Sequence, residues 1–277
     1  MDMVIPDIKQ VADRLIAKPG KTFDLSARDS GDRSLFPDKK QARKSLHKDC
    51  VEIDELQDRL YATANGALLV VLQGMDTSGK SGVIRNVFSA TSPLGMQIKA
   101  FKAPTKIEAA HDYLWRVHSA VPGMGTVGVF DRSHYEDVLV VKVREFAPAE
   151  VIEQRYDQIN AFEKHLTQNG VRILKFMLHV GYDEQGERLK ERITEPHKRW
   201  KFNPGDLEDR KLWPDFMDAY QTMVQRCSTE HAPWYVVPAD SRTRRNAMIA
   251  RIIRGTLEDM KTDWPNPGYT LAQFDFG

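Results

Sequence analysis

The feature that most constrains this chain is the octapeptide GMDTSGKS at residues 74–81, which follows directly on the apolar run ALLVVLQ, Ala67–Gln73. Two glycines bracket four residues, and a lysine and a hydroxyl come next. The backbone N–H groups of such a loop curl around a phosphate, and the helix behind it presents its positive end. The lysine reaches the terminal phosphates and the hydroxyl is placed to ligate magnesium. The setting weighs against a chance match in a glycine-containing turn. A near-continuous apolar run suits a strand buried on both faces, and Val83, Val87 and Ala90 share one helical face of the segment 80–90 that follows. Phosphate contacts are therefore expected from Gly74, Met75, Thr77, Ser78, Gly79, Lys80, Ser81 and Gly82, with Arg85 one turn into the helix.

Similar short apolar runs recur at 97–101, 126–130, 172–178 and 234–237, separated by longer stretches of helical composition. Strands alternating with helices predict an α/β fold of three layers, with a central parallel five-stranded sheet and helices on both faces. Upstream, Leu46, Cys50, Ile53, Leu56 and Leu60 recur at three- and four-residue steps, one stripe of a helix docked on that core. Its basic side, Lys39, Lys40, Arg43, Lys44 and Lys48, is followed closely by Asp49, Glu52, Asp54 and Glu55, the pattern of a solvated face. The first 40 or so residues mix charge with Gly20, Gly31 and Pro37 without a period and read as an extended arm or irregular cover. Segment 183–211, charged and broken by Pro196, Pro204 and Gly205, is too long for a simple connection and is expected to form a helical lid. With 277 residues and 41% hydrophobic content, one core is expected. The division is then a single domain over 1–277: arm and amphipathic helix at 1–62, core at 63–182, lid at 183–211 and the C-terminal part of the core at 212–277.

Chemistry beyond the loop is expected at FDRSHYEDV, residues 130–138, where an apolar strand ends in Asp131. A carboxylate at that strand end faces the phosphate loop and holds Mg²⁺ directly or through water, and Arg132 is placed to grip an anionic oxygen with two hydrogen bonds. Ser133, Glu136 and Asp137 follow as candidate nucleotide contacts, and Lys102 lies just past the strand at 97–101. Asp76 is informative because a carboxylate among backbone donors repels phosphate unless a cation lies beside it. Asp76 and Asp131 are thus the expected Mg²⁺ ligands, with Ser81 a further one and Mn²⁺ the substitute ion. The plainer reading of Asp76 is a turn former facing outward. In the lid, Arg188 and Arg192 stand one helical turn apart, and Lys198, Arg199 and Lys201 follow. Alone this is a solvated helix whose Glu187 and Glu191 pair with neighbours. Above a phosphate loop, the same cations close on phosphates and exclude water. The large rings Trp115, Trp200, Trp213 and Trp234 are expected mainly in packing, and His47, His111, His118 and His134 form no ligand spacing.

A charged content of 29% leaves a formal net charge of only +1, which gives no whole-molecule field for nucleic acid or an anionic membrane. Cys50 and Cys227 fit neither a metal nor a disulfide framework, and the longest apolar run is far below the ~20 residues that cross a bilayer. A cytoplasmic protein is expected.

Taken in order, GMDTSGKSG, FKAPTKIEAAHDYLWRVH (101–118), FDRSHYEDVLV (130–140), HKRWKFNPGDLEDRKLW (197–213) and STEHAPWYVVPAD (228–240) resemble the family 2 polyphosphate kinases. The resemblance runs from about Lys39 to Ile253, with departures at Lys106 and at the Gly181-Tyr182 pair. It implies a P-loop kinase core with a helical lid over a tunnel and Mg²⁺ on two loop carboxylates. It further implies reversible phosphoryl transfer between inorganic polyphosphate and a nucleoside mono- or diphosphate, adenine or guanine. By position its catalytic residues fall on Asp76, Lys80, Asp131, Arg132, Arg188 and Arg192, with Lys198 and Arg199 among the phosphate contacts. The acidic Glu136 and Asp137 resemble members that use both AMP and ADP. Relatives commonly assemble as homodimers or homotetramers. An ATP-dependent nucleoside monophosphate kinase and a nucleotide-binding switch protein are the alternative readings of the same loops.

Overall fold

The computed structural model describes residues 5–275; residues 1–4 and 276–277, which the expected domain division includes, lie outside them. Helix α1 (Ile8–Leu15) begins at an Asp7 cap whose side chain accepts from the Gln10 N–H at 2.7 Å, while Gln10 Oε1 accepts from the Asp7 N–H at 2.9 Å. This reciprocal cap stabilises a two-turn helix that buries only Val11 and Leu15, too few apolar positions to show as a period. Strand β1 (Ile16–Ala17) follows. The arm is therefore not wholly irregular.

Next come α2 (Lys39–Thr63), β2 (Ala67–Gln73), α3 (Lys80–Val87), β3 (Met96–Ala100), α4 (Trp115–His118) and β4 (Val127–Asp131). Then follow α5 (Val140–Val143), α6 (Ala149–Gln168), β5 (Val171–His179), α7 (Tyr182–Thr194), α8 (Gly205–Lys211), α9 (Trp213–Cys227), β6 (Trp234–Pro238) and α10 (Arg242–Asp259). All strands lie in one six-stranded sheet of order β1-β6-β5-β2-β4-β3. The strands β3, β4, β2, β5 and β6 run parallel, as expected, and β1 adds an antiparallel edge through Ile16 opposite Tyr235. The sheet is thus mixed and has one strand more than the sequence reading.

Every residue of β2 is buried. Because successive side chains alternate between faces, this requires cover on both. Helix α10 packs against α1, α2 and α3, and α6 packs against α9 and the turn at His134–Val138. On α2 the apolar stripe turns inward through Cys50, Ile53 and Leu60, but Asp49 is buried with it instead of solvated. Arg251 Nε reaches Asp49 Oδ2 at 2.9 Å and Arg254 Nη1 reaches Oδ1 at 3.2 Å. An acid in a charged run looks solvated until the partners contributed by α10, some 200 residues away, are known. Ala90 lies beyond the end of α3 and is exposed.

Register decides where the chemistry falls. Leu72 of β2 stands opposite Asp131 of β4, and Gln73 opposite Met177 of β5. Three chain segments therefore leave the carboxyl ends of adjacent strands together: the phosphate loop from β2, the Asp131–Arg132 step from β4 and the lid from β5.

Candidate active site

The phosphate loop turns on residues that few sequences accept. Gly74 has φ 146° and its Cα faces the Leu178 carbonyl, so a side chain there would collide with β5. Gly79 has φ 103° and a Cβ would run into the Arg245 guanidinium. Thr77 and Arg132, both with φ 65°, adopt the left-handed region at a cost of about 1–2 kcal/mol each. Strain at two non-glycine positions of one site requires that the surroundings hold them. The Arg132 N–H donates to Leu72 O at 3.1 Å, and Arg188 Nη1 donates to Thr77 O at 3.0 Å.

Inside the loop, Lys80 is buried and its Nζ donates to Gly74 O at 2.7 Å and to Met75 O at 3.3 Å. Burial, then the nearby Arg132 charge, push its ammonium down, against Asp76, Asp131 and Glu136. The Ser81 hydroxyl donates to Asp131 Oδ2 at 3.0 Å, which ties the loop to the end of β4. Asp76 forms an ion pair with Arg132, whose other nitrogen lies 3.2 Å from Glu136 Oε2. Burial works to raise the Asp76 carboxyl, but Arg132, Lys80 and Arg192 hold it below the usual range. The structure thus brings Asp76, Lys80, Ser81, Asp131, Arg132 and Glu136 together. Gly74, Asp76, Arg132, Glu136, Phe216 and Tyr220 line a small cleft at this point.

Other expected residues take different places. Ser133 is buried, accepts from Gln73 Nε2 at 3.1 Å and caps the turn through the Tyr135 N–H, which supports the loop from behind. Asp137 pairs with Arg155 at 3.3 Å, and burial raises its carboxyl against that charge. Arg85 and Lys102 are exposed, and the Lys102 carbonyl accepts from Arg116. In the lid, Arg188 is buried against backbone carbonyls, whereas Arg192 bonds Asp206 Oδ2 at 2.7 Å. Lys198 pairs with Glu191 at 3.1 Å and Arg199 Nε donates to the Ile193 carbonyl at 2.8 Å. Trp234 is a core residue, and Trp200 is the most exposed of the rings named above.

Three residues of the site had escaped sequence reasoning. Asp206 of α8, which accepts from Arg192, lies close enough to Asp76 for the two carboxyls to interact; burial, then the Asp76 charge, push the Asp206 carboxyl up to about 6. Tyr220 of α9 lines the cleft with Gly74 and Asp76. Arg245 of α10 donates from Nη1 to Ser78 O at 2.8 Å. None carries a local motif; Asp206 lies in the first turn of α8, behind its Pro204 cap.

A doubly wound sheet with this loop, an acid at the end of the neighbouring strand and a basic segment beyond the next strand defines a P-loop kinase. The family model described as Polyphosphate kinase 2 matches residues 36–265. The chain is 46% identical over 251 residues to an AMP/ADP-polyphosphate phosphotransferase of Meiothermus ruber, covering 90% of this chain and 94% of that one. It is 38% identical to an ADP-polyphosphate phosphotransferase of Rhodopseudomonas palustris, covering 89% of each. The crystal structure of Polyphosphate Kinase 2 from Arthrobacter aurescens superposes with a TM-score of 0.92 at 39% identity, over 98% of this chain and 96% of that one. The chain belongs to the polyphosphate kinase 2 family.

Proposed function

We propose that this protein transfers a phosphoryl group reversibly between inorganic polyphosphate and a nucleoside mono- or diphosphate, with AMP and ADP the first acceptors to test and the guanine nucleotides next. The observation that carries the reading is the junction of Lys80, Ser81, Asp131, Asp76 and Arg132 at the carboxyl ends of β2 and β4. The names of the relatives point to the same donor and acceptors.

An acceptor phosphate has a second pKa near ~6, so much of it is ionised at neutral pH and no strong general base is required. One of its oxygens forms a new anhydride bond to the terminal phosphorus of the donor. The bond from that phosphorus to the bridging oxygen breaks, and the shortened polyphosphate leaves with the electron pair. Two polyanions must be held in line while their repulsion is cancelled. In this reading Lys80, held at the Gly74 and Met75 carbonyls, gives its remaining N–H to the transferred group, and Arg132 and Arg192 hold equatorial oxygens. Lys198 and Arg199 guide the chain.

Among the described residues no group of three or more His, Cys, Asp or Glu is arranged to hold a metal. What supports the Mg²⁺ reading is the Ser81 hydroxyl beside the Asp131 carboxylate, since Mg²⁺ keeps several waters and takes one or two carboxylates plus substrate phosphates. Asp131 and Ser81 would hold it, with Asp76, paired with Arg132, as the second carboxylate, and Mn²⁺ would substitute. When bound, the ion would offset charge on the phosphate oxygens. We further place the protein in the cytoplasm as a single domain that assembles as a homodimer or homotetramer. Both cysteines are buried and unpaired, and no helix among the described residues is long and apolar enough to cross a membrane.

The test is incubation with Mg²⁺, long-chain polyphosphate and AMP, ADP, GMP or GDP in separate reactions, with products resolved by chromatography. Higher phosphorylated nucleotide formed only with polyphosphate is the expected result. Product that requires ATP as donor would make it a nucleoside monophosphate kinase, and no product with any donor would leave a nucleotide-binding protein.

A further inference from the structure

Behind the phosphate loop lie two buried guanidiniums whose hydrogen bonds go to the protein itself. Arg245 is 2% exposed and Arg188 is 4% exposed. Arg245 Nη1 donates to Ser78 O at 2.8 Å, and its Nε and Nη2 donate to Asn246 Oδ1 at 3.1 and 2.8 Å. Arg188 Nη1 bridges Thr77 O at 3.0 Å and Ser78 O at 3.3 Å. Its Nη2 donates to Ala239 O at 2.8 Å and Asp240 O at 2.9 Å. The Ser78 carbonyl therefore receives two arginines, one from the root of the lid and one from α10.

A trans peptide is planar, with its N–H pointing opposite to its C=O. Fixing the Ser78 carbonyl toward Arg245 therefore turns the Gly79 N–H the other way. Among the described residues the N–H groups of Gly79, Lys80 and Ser81 have no acceptor, whereas that of Ser78 is used on Met75 O at 3.1 Å. Gly79 occupies φ 103°, and a glycine lacks the Cβ that would restrict the peptide before it to one orientation. Something else must choose its orientation. Stability alone does not explain a buried guanidinium whose side-chain partner is an amide oxygen, because a buried charge without a carboxylate is costly. Burial, then the charges of Arg188 and Arg242, push the Arg245 group down to about 9, so it stays cationic at neutral pH.

We propose that Arg245, assisted by Arg188, is a positioning residue that locks the Ser78–Gly79 peptide with its N–H toward the bound phosphate and its carbonyl away. The inference rests on the phosphate-loop reading above. Without the clamp the peptide flips in a share of molecules, presenting a carbonyl dipole to an anion. Because α7 is bolted to the loop through Arg188, the root of the lid belongs to the fixed body, and any closure involves residues beyond it.

The experiment titrates inorganic tripolyphosphate with Mg²⁺ into the full chain by calorimetry, for wild type, Arg245→Met, Arg245→Lys and Lys80→Met. Circular dichroism melts run in parallel. Losing a charge-assisted bond that orients a donor is expected to weaken tripolyphosphate binding by about 10-fold or more in Arg245→Met. Arg245→Lys keeps the charge and one bond and is expected to fall between that variant and wild type. A merely structural role would lower the melting temperature and leave the affinity of the folded protein unchanged. If Arg245→Met does not fold, Arg245→Lys alone decides. Wild-type affinity in either folded variant overturns the proposal. Binding that survives in Lys80→Met, or that is missing from wild type, overturns instead the assignment of the loop as the phosphate site, and the clamp falls with it.

Discussion

Lys80 and Arg188 are buried and hydrogen-bond backbone carbonyls of the loop, Arg188 also donating from Nε to Glu184 Oε1 at 2.8 Å, whereas Arg199 and Lys201 of the outer lid stand exposed and Lys198 shares Glu191 with Arg242. The contrast follows from what carries them. The phosphate loop is strung between β2 and α3, with β4 and β5 hydrogen-bonded on either side, so its charges are placed before substrate arrives. The outer lid is a 3-10 turn at Pro196–Lys201 and the two-turn α8, braced by surface ion pairs that water and salt weaken. Preorganised charge lowers a barrier because nothing has to reorganise during reaction, while loosely held charge mainly gathers an anionic chain. The fixed region should therefore govern kcat and the outer lid KM.

The largest expected effect is that of Lys80→Met, a fall in kcat of about 1,000-fold or more. Its melting temperature should stay level or rise, since a buried ammonium is removed. A comparable loss of kcat in the double variant Lys198→Ala/Arg199→Ala would erase the distinction between the two regions. Asp131→Asn comes next, with a fall of about 100-fold and a higher Mg²⁺ requirement, because the Ser81 hydroxyl keeps an oxygen partner while the charge is lost. An unchanged Mg²⁺ requirement would move the metal away from Asp131.

Arg192 sharpens the boundary, for it lies in the lid yet influences the Asp76 carboxyl. Arg192→Met is expected to lower kcat by about 10-fold, with KM for polyphosphate rising as well, since an arginine–carboxylate bond at 2.7 Å is exchanged for substrate. The outer double variant should show a rise in KM of about 3-fold that disappears at high salt, with kcat retained. Steady-state kinetics at two salt concentrations separate these outcomes.

How much of this was legible in the sequence follows the same division. The loop, Asp131 and the parallel strands could be read because a phosphate site needs glycines at fixed spacing after a buried strand, all within neighbouring residues. Arg188 could be named but not placed: spacing put it one turn from Arg192, yet besides Glu184 one turn back its partners are carbonyls such as those of Thr77 and Asp240, far off in the chain. Asp49, Asp206 and Arg245 were illegible for one physical reason. A charged side chain in a charged run looks solvated until its partner from another element is known, and those partners come from α10, the phosphate loop and the lid. The β1 edge strand escaped because two residues carry no alternation.

The smallest effect concerns the seam between the two regions, where His179 ends β5 just before the lid and its Nε2 lies 2.9 Å from the Arg28 carbonyl of the N-terminal arm. Burial lowers its pKa from 6.5, against the opposing influence of the Arg28 carbonyl, Asp240 and Asp29. A depressed histidine means that the unfolded chain binds the proton more readily than the folded one. Its contribution to stability is then fully present above the unfolded value and is lost as pH falls through the folded one. Wild type should lose more melting temperature between about pH 7.5 and about pH 5 than His179→Gln does, since the other titrating groups are common to both. Equal losses would mean that the imidazole is free to reach solvent, so that the arm and the root of the lid part readily. The larger loss in wild type would place the root of the lid with the fixed body, and leave only the segment beyond Arg188 to move over the phosphates.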